Sequence, residues 1–275
     1  MRGTHRAAAI SLGILTLAAL IVPALATDDP TAITDVVARR LVPPLGRDAG
    51  GGWHLFGTDR FGRDILVRTL LAARVSLLVG VVGSVLAAVV GVCVGAAAAW
   101  AGRWVDRVLM SLADTLLAVP RLVLLLLCVA LWAPGLGTVI IVLAATGWMG
   151  IARLVRAEVL ALRSVGFVEA SRAAGARSLR TLVAHVLPNA AGPAVVATTL
   201  GIGNAVLMES GLAFLGLGVQ PPTPSWGNMI AGGRDLIVTA PWVALAPGLA
   251  LLVTVLLCTE LGDSLDPTAW RTRNH

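Results

Sequence analysis

The stretch Glu169–Pro188, EASRAAGARSLRTLVAHVLP, decides how this chain is read. It is a polar, arginine-bearing island between two strongly apolar runs. Glu169-Ala170-Ser171 is predicted to open a short helical piece. Gly175 ends that piece, because glycine takes φ > 0 without a Cβ penalty. Ser178 is placed to cap a second helix. There Leu179, Leu182, Val183 and Val186 fall at i, i+3, i+4 and i+7, one apolar stripe. The stripe is expected to pack back against the rest of the chain. Pro188 is expected to stop the helix and start the next segment at a fixed angle. The product is two short helices bent at Gly175 and set at a membrane surface.

The membrane follows from composition. The 275 residues are 57% hydrophobic and 13% charged, with a mean hydropathy of +0.87. Soluble domains average about 45–50% apolar and about 25% charged residues. The apolar residues come in blocks of about 20, the length that crosses ~30 Å of hydrocarbon as a helix. The period-two alternation of a membrane β-barrel is absent. The chain is therefore expected to be an all-α polytopic membrane protein.

Charge excludes several chemistries. The 21 basic residues outnumber 15 acidic ones, for a formal net charge of +6, and every basic one is arginine. Without lysine there is no Walker A loop, GxxxxGK[ST], and no lysine Schiff base. If ATP drives this protein, another chain hydrolyses it. Arginines flanking spans explain the basic balance without nucleic acid. Cys93, Cys128 and Cys258 each sit inside an apolar run and form no CxxC pair. The four histidines are scattered, and neither HExxH nor GxSxG occurs. No metal, cofactor or catalytic constellation is expected.

Six spans are laid out along the chain. The run 7–26 carries a small-residue Ala24-Leu25-Ala26 site, but it exceeds a signal-peptide core and is expected to be a retained first span. Residues 27–74 form a polar outer loop, broken by Pro43-Pro44 and Gly50-Gly51-Gly52, with one short helix over Asp35–Leu41. Within it lies FGTDRFGRD, Phe56–Asp64, a turn whose Asp and Arg side chains can pair. Val75–Trp100 is the second span, with Gly80, Gly83, Gly91 and Gly95 permitting close helix approach. Met110–Val119 leads through Pro120 and Arg121 into Leu122–Trp132, the third. Thr138–Ala152 is a shorter fourth span. Ala190–Leu217 and Pro241–Leu261 are the fifth and sixth. Glu209 is the one serious ionisable candidate inside a span, predicted either to line an outer gate or partner contact or to sit in water at headgroup level. Trp226 and Trp242 suit a membrane interface.

Three segments resemble the permeases of ABC importers. The coupling loop of that family reads Glu-Ala-Ala, three residues, Gly, then Leu-Pro. Glu169, Ala170, Gly175, Leu187 and Pro188 match it in spacing, while Ser171 replaces the second alanine and His185 stands where isoleucine is common. His185–Asn189, HVLPN, is similar to the dipeptide/oligopeptide/nickel branch. So are Gly57-Thr58-Asp59 with Gly62-Arg63-Asp64, and Phe214–Asn228, FLGLGVQPPTPSWGN, before the last span. Gly262-Asp263-Ser264-Leu265-Asp266-Pro267 and the basic tail, 262–275, also fit. The resemblance runs over Phe56–Pro267.

That resemblance implies a type I importer permease, of the C-type subunit, with about six transmembrane helices. It implies a permease domain over 75–261 with a cytoplasmic coupling loop over 153–189. Two cytosolic ATPases would dock on Glu169, Ala170, Arg172, Gly175, Leu187 and Pro188. An extracytoplasmic binding protein would meet Asp59, Arg63, Asp64, Pro221 and Trp226. A second permease would complete the pathway. The cargo implied is a dipeptide or oligopeptide, with nickel complexes as the alternative; a secondary carrier or channel is the competing class. Arginines at both termini, at Arg103 and Arg107, and over Arg153–Arg180 lead us to expect both termini on the cytoplasmic side, and the resemblance implies a bacterial inner membrane. The arginines of the first outer loop oppose this, but that loop is long and carries six aspartates.

Overall fold

The computed structural model describes residues 2–26, 32–33 and 36–265. The expectations on Asp28, Asp29, Asp35, Asp266, Pro267 and the basic tail lie outside them. Helix α1, Arg2–Leu25, is followed by the single turn α2, Val36–Arg39. Strands β1, Gly46–Arg47, and β2, Trp53–His54, pair antiparallel, with Gly46 opposite His54. Then come α3, Ile65–Trp100; α4, Arg103–Leu117; α5, Arg121–Ala130; and α6, Leu136–Leu162. The polar island holds α7, Gly166–Ala173, and α8, Ser178–Thr181. A π turn, Leu182–Val186, leads into α9, Leu187–Phe214. Helix α10, Trp226–Gly233, and α11, Trp242–Leu265, complete the chain.

Among the described residues, five helices are long and apolar enough to cross a membrane: Arg6–Leu25, Ile65–Trp100, Leu136–Leu162, Ser178–Phe214 and Trp242–Leu265. The expected third span is instead a broken pair, α4 and α5, bent by 93°. Pro120 lies in the break, where its ring disfavours a helical conformation at Val119. Helix α5 has 10 residues, a rise of about 15 Å, half the hydrocarbon thickness. Two other spans outrun their expected bounds. Helix α3 starts ten residues early because Asp64 caps it, accepting from the Val67 amide at 3.0 Å. Helix α6 continues to Leu162 because Val155 and Val159 face the core. Likewise α11 runs to Leu265, so the tail begins later than residue 262.

Pro188 does not stop its helix; Ser178–Phe214 is one continuous run. A proline inside an α-helix removes a donor and clashes with the carbonyl four residues back. Here the preceding turn widens to π spacing, with the Leu187 amide reaching back to the Leu182 carbonyl. The Asn189 side chain donates to the His185 carbonyl at 2.6 Å. Pro23 in α1 is accommodated by a neighbour instead. It leaves the Ala19 carbonyl without a helical donor, and Arg74 Nε of α3 supplies one at 2.7 Å.

Helix α3 is the axis on which the bundle assembles, and its glycines set the distance of approach. A Cβ on Gly91 would lie 2.8 Å from Ile151 Cβ of α6, and one on Gly95 would collide with the Ala152 carbonyl. On the other side a Cβ on Gly80 would collide with Val206 of α9. Small residues thus let backbones meet where lipid offers no hydrophobic drive. Ala96, Ala99, Val155, Val159 and Val186 fill the core at one end; Val79, Leu125, Val142 and Leu212 fill it nearer the other.

Candidate coupling surface and outer cleft

The polar island folds as two short helices joined at Gly175, as its spacing predicts. Glu169 lies in the first turn of α7, which begins at Gly166. A carboxylate there favours the positive helix end by about 0.3–1 kcal/mol. The Ala176 amide bonds the Ser171 carbonyl at 3.1 Å, six residues closing on one, and Gly175 takes φ +83° at the turn. Ser171 Oγ and Thr181 Oγ1, 3.2 Å apart, tie the two helices together.

Ser178 is not a cap. It is the first residue of α8, behind Arg177. Its hydroxyl accepts from Trp100 Nε1 at 2.7 Å, which fastens the unit to the end of α3. Arg163 stacks over the same ring, 5.6 Å from its centroid, and donates to the Ala99 carbonyl at 3.1 Å.

The apolar stripe divides into two i,i+4 rows. Leu182 and Val186 are buried with Val168 among Val155, Val159 and Ala190. Leu179 and Val183 remain 69% and 56% exposed, against the expectation that all four pack inward. The unit rests on one wall only, so a single row meets the bundle. Val165 and Phe167 also reach solvent, as do Glu169, Ala170, Gly175 and Pro188; Leu187 is half-buried. The side chain of Arg172 lies outside the described residues. One face of the unit therefore anchors, and another shows apolar groups beside Arg177 and Arg180.

At the far end of α3, Asp59 organises the loop. Its carboxylate accepts from the amides of Phe61 at 2.8 Å and Arg63 at 3.0 Å, and from Arg63 Nε at 2.8 Å. Arg68 Nε lies 3.8 Å away. Asp64 caps α3 and meets His54 Nδ1 at 2.8 Å; His54 Nε2 in turn meets Asp48 at 3.3 Å. Asp48 pairs with Arg39 Nε at 2.9 Å. The Gly52 amide, bonded to Asp48, holds that carboxyl below the usual range, with His54 and Arg39 adding to the effect.

Sequence reasoning had set Asp59, Arg63 and Pro221 on one side, and the structure brings them together. A cleft of about 430 Å³ is lined by Asp59, Phe61, Arg63, Pro221, Thr223 and Asn228, among others. Trp226 is different. It is wholly buried, with Nε1 donating to the Thr69 carbonyl at 2.9 Å. It therefore lies at no membrane interface and reaches no partner; it pins the proline-rich loop to α3. Trp242 is half-buried and donates to the Thr58 carbonyl at 3.1 Å.

Glu209 is also fully buried, which removes the reading of a water-exposed headgroup residue. Ser76 of α3 donates to it at 3.2 Å and Ser210 at 3.4 Å, and the Ser225 hydroxyl reaches it as well. Its Oε1 has no partner among the described residues.

The two polar regions occupy opposite ends of α3. Trp226 and Glu209 attach near its start, at Thr69 and Ser76, and Ser178 attaches at Trp100. At about 1.5 Å per residue, Ser76 and Trp100 stand about 36 Å apart, more than a hydrocarbon core of ~30 Å.

Residues 91–271 match the family model for the binding-protein-dependent transport system inner membrane component. The chain belongs to that family. This inner-membrane component is 46% identical over 225 residues to the dipeptide transport system permease protein DppC of Escherichia coli strain K12, covering 82% of this chain and 75% of that protein. It is 40% identical over 253 residues to the di/tripeptide transport system permease protein DppC of Pseudomonas aeruginosa, covering 92% and 82%. The oligopeptide transport system permease protein OppC of Bacillus subtilis is 40% identical over 212 residues, covering 77% and 70%. Among solved structures, an inward-facing MetNI methionine ABC transporter chain superposes with a TM-score of 0.60 at 22% identity, covering 73% of this chain and 94% of that one. The fold is thus that of a type I ABC importer permease.

Proposed function

We propose that this chain is the permease subunit of an ATP-driven importer of dipeptides or oligopeptides, moving its cargo by alternating access. The observation that carries the reading is its 46% identity to the dipeptide permease of E. coli over 82% of the chain. The relatives named above are peptide permeases, which favours peptides over nickel complexes. Two cytosolic ATPases, an extracytoplasmic binding protein and a second permease complete the machine. ATP is hydrolysed on the ATPases, since this chain has no lysine for a phosphate-binding loop.

In this reading 153–189 is the coupling loop. Glu169, Ala170 and Gly175, with exposed Phe167, Leu179 and Val183, seat in a groove of one ATPase, and Arg177 and Arg180 meet its acidic residues. Closure of the ATPases pushes α7 and α8. Because Ser178–Phe214 is unbroken, Leu187 and Pro188 carry that push into α9. Both termini and the loop are cytoplasmic. The Asp59–Asp64 turn and the Pro221 loop face outward, where Arg63, Asp64 and Pro221 help to receive the binding protein. Residues 75–261 form the permease domain. Uptake of dialanine into vesicles bearing the whole complex should require ATP and the binding protein. Uptake that persists without ATP but collapses with a protonophore would make the protein a secondary carrier instead.

A further inference from the structure

A second cavity opens on the side of the bundle, midway between its two polar ends, with Gly150 and Asn204 exposed at its rim. About 330 Å³ opens between α3, α5, α6 and α9, within the range of about 300–1,000 Å³ that holds small ligands. Its walls are the central turns of three long helices: residues 83–87 of α3, 143–151 of α6 and 197–205 of α9. Most of that wall is small or apolar. Ser84, Thr198 and Asn204 add polar groups, and Arg121 is the one ionisable residue lining it.

Arg121 is the first residue of α5, directly after the 93° break. Its guanidinium lies across Gly147 of α6, where a Cβ would stand 3.1 Å from Nη2. Glycine thus leaves the room that the guanidinium occupies. Nε is buried with no hydrogen-bond partner, and among the described residues no carboxylate pairs with the group. A cation at membrane depth is costly and marks a wet or ligand-bearing path. A guanidinium offers a planar fork of donors that fits a carboxylate with two parallel bonds. The positive end of α5 adds to the same field.

We propose that this cavity is a subsite on the translocation path and that Arg121 receives the free C-terminal carboxylate of a short peptide in transit. Ser84 and Asn204 stand on the same wall to bond the peptide backbone. The inference rests on the peptide-importer reading, and it adds a place inside this chain where cargo pauses.

The test uses the complete complex in proteoliposomes with saturating binding protein. Arg121→Gln should lower the maximal rate of dialanine uptake at least tenfold while the partner subunits still co-purify. Arg121→Lys, which keeps the charge but not the planar fork, should recover only part of the rate. Separately, Ser84→Cys in a background lacking Cys93, Cys128 and Cys258 should react with a small charged thiosulfonate. Dialanine should slow that reaction, and dialanine amide should not. Equal protection by the amide, or no reaction at all, overturns the proposal. So does failure of both Arg121 variants to assemble, which would make the group a structural contact. If the wild-type complex moves no dialanine, the peptide reading fails; if it does and Arg121→Gln moves it equally fast, only the subsite fails.

Discussion

Ser76 of α3 donates a hydrogen bond to the Glu209 carboxylate of α9 at 3.2 Å, wholly out of contact with solvent. The same Ser76 oxygen accepts the Trp226 amide at 3.2 Å, so one hydroxyl joins two spans to the proline-rich loop. Glu209→Gln keeps an acceptor for Ser76 and should leave uptake within about twofold of wild type. Glu209→Leu strands Ser76, Ser210 and Ser225 together and should cost about 1–3 kcal/mol. Thermal unfolding of the detergent-solubilised complex, followed beside uptake, checks this. Equal stability of the two variants would contradict a structural role for the carboxylate.

Asp59 is predicted to matter more than Arg63. Removing the carboxylate leaves the Arg63 guanidinium and two backbone amides without their acceptor, while removing Arg63 leaves Asp59 its amide donors and Arg68 nearby. Breaking a buried pair from the side that holds it together costs about 3–5 kcal/mol. Asp59→Ala should therefore lower accumulation and expose Arg60 and Arg63 to trypsin. Arg63→Glu should accumulate better than Asp59→Ala and show its defect as weaker binding-protein docking.

Gly175 separates local strain from partner contact. Its φ of +83° disfavours any side chain with a Cβ, yet nothing within 4 Å would meet that Cβ. Gly175→Asn, which tolerates the left-handed region, should keep near-normal uptake. Gly175→Trp should insert and assemble with the second permease but lose ATPase co-purification and uptake together. Wild-type ATPase recovery with the tryptophan variant would end the coupling assignment.

Topology is tested from two exposed sites. Ala174→Cys in the polar island and Thr223→Cys in the proline-rich loop, in a background without the three native cysteines, should label from opposite sides with an impermeant thiol reagent. Labelling of both from one side would refute an odd number of crossings between them.

The sequence made the long helices and the polar island legible because both depend on local pattern: apolar blocks, a glycine at a turn, alternating faces. Gly91 and Gly95 could be read as close-approach sites, and they are. What escaped reading depends on partners distant in the chain. Ser178 has the side chain of a cap, yet Trp100 claims its hydroxyl from 78 residues away. Trp226 has the amphipathic ring of an interface residue, but Thr69 and Ala73 lie where it can be buried. His54 carries no motif, and its role between Asp48 and Asp64 follows only from the folded loop. Pro188 misled because a widened turn absorbed a ring that local rules say ends a helix.

Helix α3 contains 36 residues and no proline, a rod about 54 Å long. It touches the Asp59–Asp64 turn at one tip and the polar island at the other. Such a rod behaves as a lever. Pivoted near its middle, where Gly83 and Gly91 let it meet α6, a tilt of about 10° sweeps each tip through about 5 Å in opposite directions. A rigid swing of α3 about its middle therefore cannot shift the Asp59–Asp64 turn without also shifting the polar island, so the two ends of the bundle move as one piece.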